Sequence, residues 1–177
     1  MIIPAIFMSK LLYCLHVTGT IWGLTKYGEQ ELMKLSCPKS VMRKLQSCQR
    51  IAVGMQFPDL KINWEMRTVT LLKLSKTLSV HQMTAAHTIR IAINALKYGK
   101  PKFLYELMVK NHSNKRNNER LVTPRCRINL KFESFHYQAV SLLNRLPNSI
   151  IDEQSLKRRK RLVKEWVTLN ISTHPCT

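Results

Sequence analysis

Acidic side chains are scarce in this chain of 177 residues: ten Asp plus Glu face 29 Lys plus Arg, and the only aspartates are Asp59 and Asp152. A formal net charge of +19 repels itself in a compact state and is relieved by a polyanion, so nucleic acid is the first partner class and an acidic membrane surface the second. Cysteine is present but not in a useful pattern. Cys14, Cys37, Cys48, Cys126 and Cys176 are odd in number and contain no Cys-x-x-Cys pair, which argues against a disulfide scaffold and against a zinc knuckle. Cys14 with His16, and Cys126 with His136, fall short of the four converging ligands that structural zinc needs, so no metal and no other cofactor is expected. No nucleophile signature accompanies any cysteine, and buried structural thiols are the default.

Long apolar runs are missing too. Met1 to Leu24 is apolar, but Pro4, Lys10, His16, Gly19 and Gly23 interrupt it, which leaves no stretch of about 20 apolar residues for a spanning helix. No basic region precedes the run, as a signal peptide would require, so the expected location is nuclear or cytoplasmic, not secreted, with no membrane partner.

What is there is helical. At 45% hydrophobic residues the chain can bury an ordinary core, and the patterning predicts a mainly α fold, an irregular bundle of about five to six helices with at most one short strand element. Ala5 to about His16 reads as a helix after Pro4, and the Gly19, Gly23 and Gly28 region as loop or turn. Pro38 opens a helix whose apolar stripe is Val41, Leu45, Cys48, Ala52 and Met55, ended by Gly54 and Pro58. The next stretch is undecided between the strand-like alternation of Leu60, Ile62 and Trp64 and a helical turn at Val69, Leu72 and Lys73. Ser79-Val-His-Gln82 is a capping box that starts a helix to about Lys97, its inner face Ala85, Ile89, Ala92, Ile93 and Leu96. Gly99 stops it, and Pro101 starts a short helix to about Val109.

Three regions follow from this reading: a helical region over 1–109, a polar basic linker or loop over 110–125, and a basic C-terminal helical region over 126–177. In the last, Ile128, Leu130 and Phe132 alternate as a short strand. Ser134 caps a helix carrying Phe135, Ala139, Leu142, Leu143 and Leu146, and Pro147 ends it. Ser155 opens the final helix, with Leu156, Val163, Trp166, Val167 and Asn170 on one side.

Several of these landmarks resemble, in order, the region after the palm in non-LTR (LINE-type) retrotransposon reverse transcriptases. They are Leu12-Tyr13 through Ile21-Trp22-Gly23, Lys44-Leu45-Gln46-Ser47-Cys48-Gln49-Arg50, Leu78-Ser79-Val80-His81-Gln82 with Ala86-His87-Thr88, and Lys100-Pro101-Lys102-Phe103-Leu104. Ser134-Phe135-x-Tyr137-x-Ala139 leading to Leu143-Asn144-x-Leu146-Pro147 is the most specific piece, and the Leu156 to Asn170 helix closes the series. The resemblance spans nearly the whole chain and implies a thumb-like fragment of an RNA-directed DNA polymerase that starts about where the palm ends, with Met1 an internal methionine of a degenerate copy or the start of a truncated gene. Such polymerases hold two metal ions on palm carboxylates, whereas Asp59 and Asp152 are far apart and no Asp-Asp pair exists. The expectation is therefore a chain that is not an enzyme on its own.

The candidate site is the basic surface. Fourteen of the 29 basic residues lie beyond Val109, and that asymmetry favours phosphate contact over a merely solvated face. Lys157, Arg158, Arg159, Lys160, Arg161 and Lys164 form the dense run, and Lys115, Arg116, Arg120, Arg125 and Arg127 extend it through the loop. A nuclear-localisation role for the run is the lesser alternative. The expected partners are RNA or an RNA–DNA duplex, gripped through phosphates without reading sequence, and the missing polymerase palm. Trp22, Trp64, Trp166, Phe135 and Tyr137 are read as core anchors in preference to base-stacking platforms. Two rival readings remain: a non-functional relic whose Ile6, Phe7, Leu11, Leu12 and Leu15 stripe is an orphaned packing surface, and a basic amphipathic protein that lies on membranes.

Overall fold

The computed structural model describes residues 24–27, 31–35, 39–57, 68–109, 121, 123 and 134–171. The chain is mainly α. Among the described residues the elements are a hairpin of β1 (Leu24–Tyr27) and β2 (Glu31–Leu35), then α1 (Lys39–Gln56), α2 (Thr68–Leu74), α3 (Val80–Tyr98), α4 (Lys102–Val109), α5 (Phe135–Arg145), α6 (Asn148–Ile151) and α7 (Leu156–Asn170). The strands pair antiparallel, Leu24 opposite Leu35 and Lys26 opposite Met33, with a register shift at Tyr27. This β element falls where glycine spacing points to loop. The expected strand over Ile128 to Phe132 and the expected N-terminal helix lie outside the described residues.

Helix α3 is the axis of the bundle, and its start and stop follow local chemistry. The Ser79 hydroxyl accepts the Gln82 amide at 3.3 Å, and the Ser79 amide donates to Gln82 Oε1 at 3.0 Å, so the capping box is complete. At the other end Gly99 takes φ 63°, a left-handed conformation that costs glycine little, and its N–H donates to the Ala95 carbonyl at 2.9 Å. Between the caps Ala85, Ile89, Ala92 and Ile93 are fully buried, as the apolar spacing requires. Burial nonetheless continues around the helix to His81, Gln82, Thr84 and Thr88, because α4, α5 and α7 all pack on it.

One hydrophobic cluster runs from Val80 and Ile89 through Met108 and Leu121 to Leu142, Val163 and Val167. The helices before and after the 110–125 segment thus share a core. Asn144 ties the far end of that segment to α5: its side-chain amide accepts from Leu121 N at 3.0 Å and donates to Leu121 O at 2.8 Å. Phe135 and Trp166 pack half-buried against the cluster, as core anchors would, while Trp22 and Trp64 lie outside the described residues.

Helix α1 is turned from its expected phase. Met55 is 55% exposed, while Gln49 and Val53 are fully buried, so the inner stripe is Leu45, Gln49, Ala52 and Val53. Two contacts set that rotation. Gln49 Nε2 donates to the Leu78 carbonyl at 2.6 Å, fastening α1 to the turn before α3, and Val53 joins Leu71, Leu72 and Phe57 in a small second cluster.

His136, on the face of α5 toward α4, predicts a pH dependence. Burial pushes its pKa below the ordinary 6.5, and a hydrogen bond with the Leu107 backbone pulls it partly back. The unfolded chain therefore binds the proton more readily than the fold does. The neutral form's contribution is intact above pH 6.5 and declines as pH falls through 6.5 and on through the lowered folded value. Urea unfolding at a series of pH values is expected to show stability decreasing across that window, with a shallower decrease in His136→Gln; parallel profiles would contradict the assignment.

Candidate nucleic-acid interface

Helix α7 carries the basic run, and its first turn is built to hold a fixed start. The Ser155 hydroxyl caps the Arg158 amide at 3.4 Å, and Glu153 Oε1 accepts the Ser155 amide at 3.0 Å. The Glu153 carbonyl accepts Lys97 Nζ at 2.8 Å and Arg159 Nη1 at 3.3 Å, which joins this turn to the last turn of α3.

The six cations of the run are not equivalent. Positions 159, 163 and 167 form the inner stripe of α7, and Arg159 is only 3% exposed, its Nη2 donating to Asn94 Oδ1 at 3.1 Å. Arg159 is thus a correction to the expected phosphate-contacting set: its guanidinium is spent inside the bundle. Leu156, expected on the inner side, is 51% exposed instead. Arg158 is exposed but holds Glu153 Oε2 at 3.1 Å, and Arg161 stands 3.7 Å from Glu165. Lys157, Lys160 and Lys164 are exposed, and no carboxylate among the described residues lies within ion-pair distance of them. Steps of three and four residues place Lys157, Lys160, Arg161 and Lys164 along one face, a line of positive charge roughly 10 Å long.

That face borders a groove of about 550 Å³ between α7 and the end of α2. Arg161 and Lys164 stand on one side, Lys73 and Lys76 on the other, and Leu72, Leu78 and Leu169 supply apolar lining. Lys73 and Lys76 are missing from the sequence-derived set, because nothing local in the sequence shows that α2 lies beside α7. Their backbone is a Schellman stop: Thr77 N donates to Leu72 O at 3.0 Å, Lys76 N donates to Lys73 O at 3.1 Å, and Lys76 takes φ 51°. A lysine held there costs about 1 kcal/mol relative to glycine.

A second hollow of about 660 Å³ lies beside Asn144 and Pro147, but among its lining residues only Arg145 is cationic. Lys115, Arg116, Arg120, Arg125 and Arg127 lie outside the described residues, as do Cys14, His16, Cys126 and Asp59. Asp152 is exposed at the end of α6, and Cys48 is a free, half-buried thiol. Among the described residues no group of three His, Cys, Asp or Glu side chains is placed to hold a metal ion, and no helix is long and apolar enough to cross a membrane. No protein-family model, curated protein or solved structure matches the chain.

Proposed function

We propose that the chain is a C-terminal fragment of a retroelement reverse transcriptase, without catalysis of its own, that binds nucleic acid through phosphates and without sequence preference. The observation that carries the binding half is the face of α7 on which Lys157, Lys160, Arg161 and Lys164 are all exposed, while the neighbouring stripe of Arg159, Val163 and Val167 is buried and locks the helix into the core. Cations so placed neutralise a backbone and release its counterions, and three of the four are lysines, which hold no fixed fork of donors with which to read base edges. The ordered sequence landmarks carry the family half.

The test is binding of the purified chain to a labelled RNA–DNA duplex across a salt series. Four phosphate contacts predict a log–log slope of about −3.6 on a duplex, a roughly 150-fold loss of affinity between 50 and 200 mM salt. Replacing Lys157, Lys160, Arg161 and Lys164 by glutamine is expected to remove most of that slope. A flat salt response in the unmodified chain would sink the binding reading.

A second reading has its own observation. Tyr98 is 61% exposed, Phe103 63% and Leu107 45%, which leaves apolar surface open at the α3–α4 corner. As an orphaned packing surface for a missing palm, that corner predicts self-association which Phe103→Ser relieves; a monomer at all concentrations by sedimentation would count against it. The expected N-terminal stripe from Ile6 to Leu15 lies outside the described residues.

A further inference from the structure

We propose that the groove between α2 and α7 is a seat for an unpaired nucleic-acid strand, with phosphates on its lysine and arginine walls and a sugar–base face on its leucine lining. The inference rests on the nucleic-acid reading above and narrows it, from any phosphate backbone to a single strand.

The walls and the lining ask for different things. Lys73 and Lys76 face Arg161 and Lys164 across the groove, and the one carboxylate among its lining residues, Glu165, already lies 3.7 Å from Arg161. Such walls select an anion. Between them the edge of buried Leu72 and half-buried Leu78 are joined by Leu169, which at 85% exposure is the barest large apolar side chain among the described residues and supplies most of the open apolar surface. Such a lining selects an apolar face. A duplex keeps its bases stacked inside and offers this protein phosphate and sugar, which engage cations but leave the leucines uncovered. An unpaired strand offers both, since its bases are free to turn their faces onto protein side chains.

An acidic amphipathic peptide has a similar character, and the layout of charge decides against it. The positive line does not end with the groove but continues along α7 from Lys164 through Lys160 to Lys157. A track longer than its pocket fits a polymer whose charge repeats at every unit, which a phosphate backbone has by construction and a peptide has only if its sequence supplies it. Of the two planar donors among the lining residues, Gln82 has its amide bonded to Ser79 and Ile171 and Arg161 stands beside Glu165, so no base preference is expected. Lys76 gives the idea a sharp handle, because it occupies a left-handed position at φ 51° that glycine would fill with less strain.

The experiment compares a mixed-sequence RNA oligonucleotide, alone and as a duplex with its complement, for binding to the full chain and to Lys76→Gly, Lys73→Ser and Leu169→Ser. The expected results are tighter binding of the strand than of the duplex, and a strand salt slope that is shallower by about 0.7 in each lysine variant. Lys76→Gly should melt higher than the parent while binding the strand more weakly, a combination that misfolding does not produce. Leu169→Ser should weaken strand binding roughly fivefold and duplex binding by less. Equal affinity for strand and duplex, with all three variants like the parent, would overturn the groove assignment and leave the phosphate-binding reading standing. Binding of neither would overturn both. Capture of an acidic amphipathic peptide by a chain that ignores the strand would replace the proposed occupant with a protein.

Discussion

Truncating Gln82 to alanine is expected to lower the unfolding free energy by about 3–5 kcal/mol, the largest loss from any single polar residue in the bundle. The side chain is 2% exposed and uses both ends of its amide. Oε1 accepts the Ser79 backbone N–H at 3.0 Å, and Nε2 donates to the Ile171 carbonyl at 2.7 Å. One group thus closes the N-terminus of α3 and holds the C-terminal end of α7 against it, across 89 residues of sequence. Alanine would leave a buried donor and a buried acceptor unsatisfied, at about 1–3 kcal/mol each, and would open a void where the start of α3 meets the end of α7. Gln82→Leu separates the two causes by filling the void without restoring the bonds, so it should recover only the smaller part of the loss. Urea is the right denaturant, since guanidinium would screen the self-repulsion of a chain with net charge +19. A Gln82→Leu variant as stable as the parent would show that Gln82 serves only as filler.

The contrast between the two ends of the Gln82 amide also explains what the sequence disclosed. Its bond to Ser79 was legible because it spans three residues, and the caps at Ser134 and Ser155 were legible for the same reason. The apolar face of α3 was legible because Ala85, Ile89, Ala92 and Ile93 recur at the helical period. Its bond to Ile171 was not, and neither was the bond of Gln49 to Leu78, 29 residues on, or that of Arg159 to Asn94, 65 residues back. Each buries a polar residue that a count of apolar positions assigns to the surface. That is how α1 came to be phased on Met55 in place of Val53, and α7 on Leu156 in place of Arg159. The sign of the candidate interface was likewise plain in the composition, whereas its second wall, Lys73 and Lys76, exists only because α2 and α7 flank one groove.

Arg159→Ala is expected to cost about 2–4 kcal/mol, although the residue sits in the middle of a run that reads as one solvated cluster. Its guanidinium is held by neutral acceptors, Asn94 Oδ1 at 3.1 Å and the Glu153 carbonyl at 3.3 Å, and no ion pair is formed by it among the described residues. The cation therefore recovers only part of its lost hydration, and the fold gains more from the packed aliphatic stem and the tie to α3 than from the charge. Arg159→Met keeps the stem and removes the charge, so it should fall within about 1 kcal/mol of the parent while alanine does not. Lys160, one position along and exposed, should behave in the opposite way. Lys160→Ala is expected to leave stability unchanged and to make the duplex salt slope shallower by about 0.9, whereas Arg159→Met leaves the slope as it was. This is why a neutralising variant of α7 should spare Arg159: alanine across the whole run would mix a loss of stability with the loss of phosphate contact. Equal loss of slope in Arg159→Met and Lys160→Ala would mean that Arg159 faces outward in solution and that α7 is rotated from the packing described above.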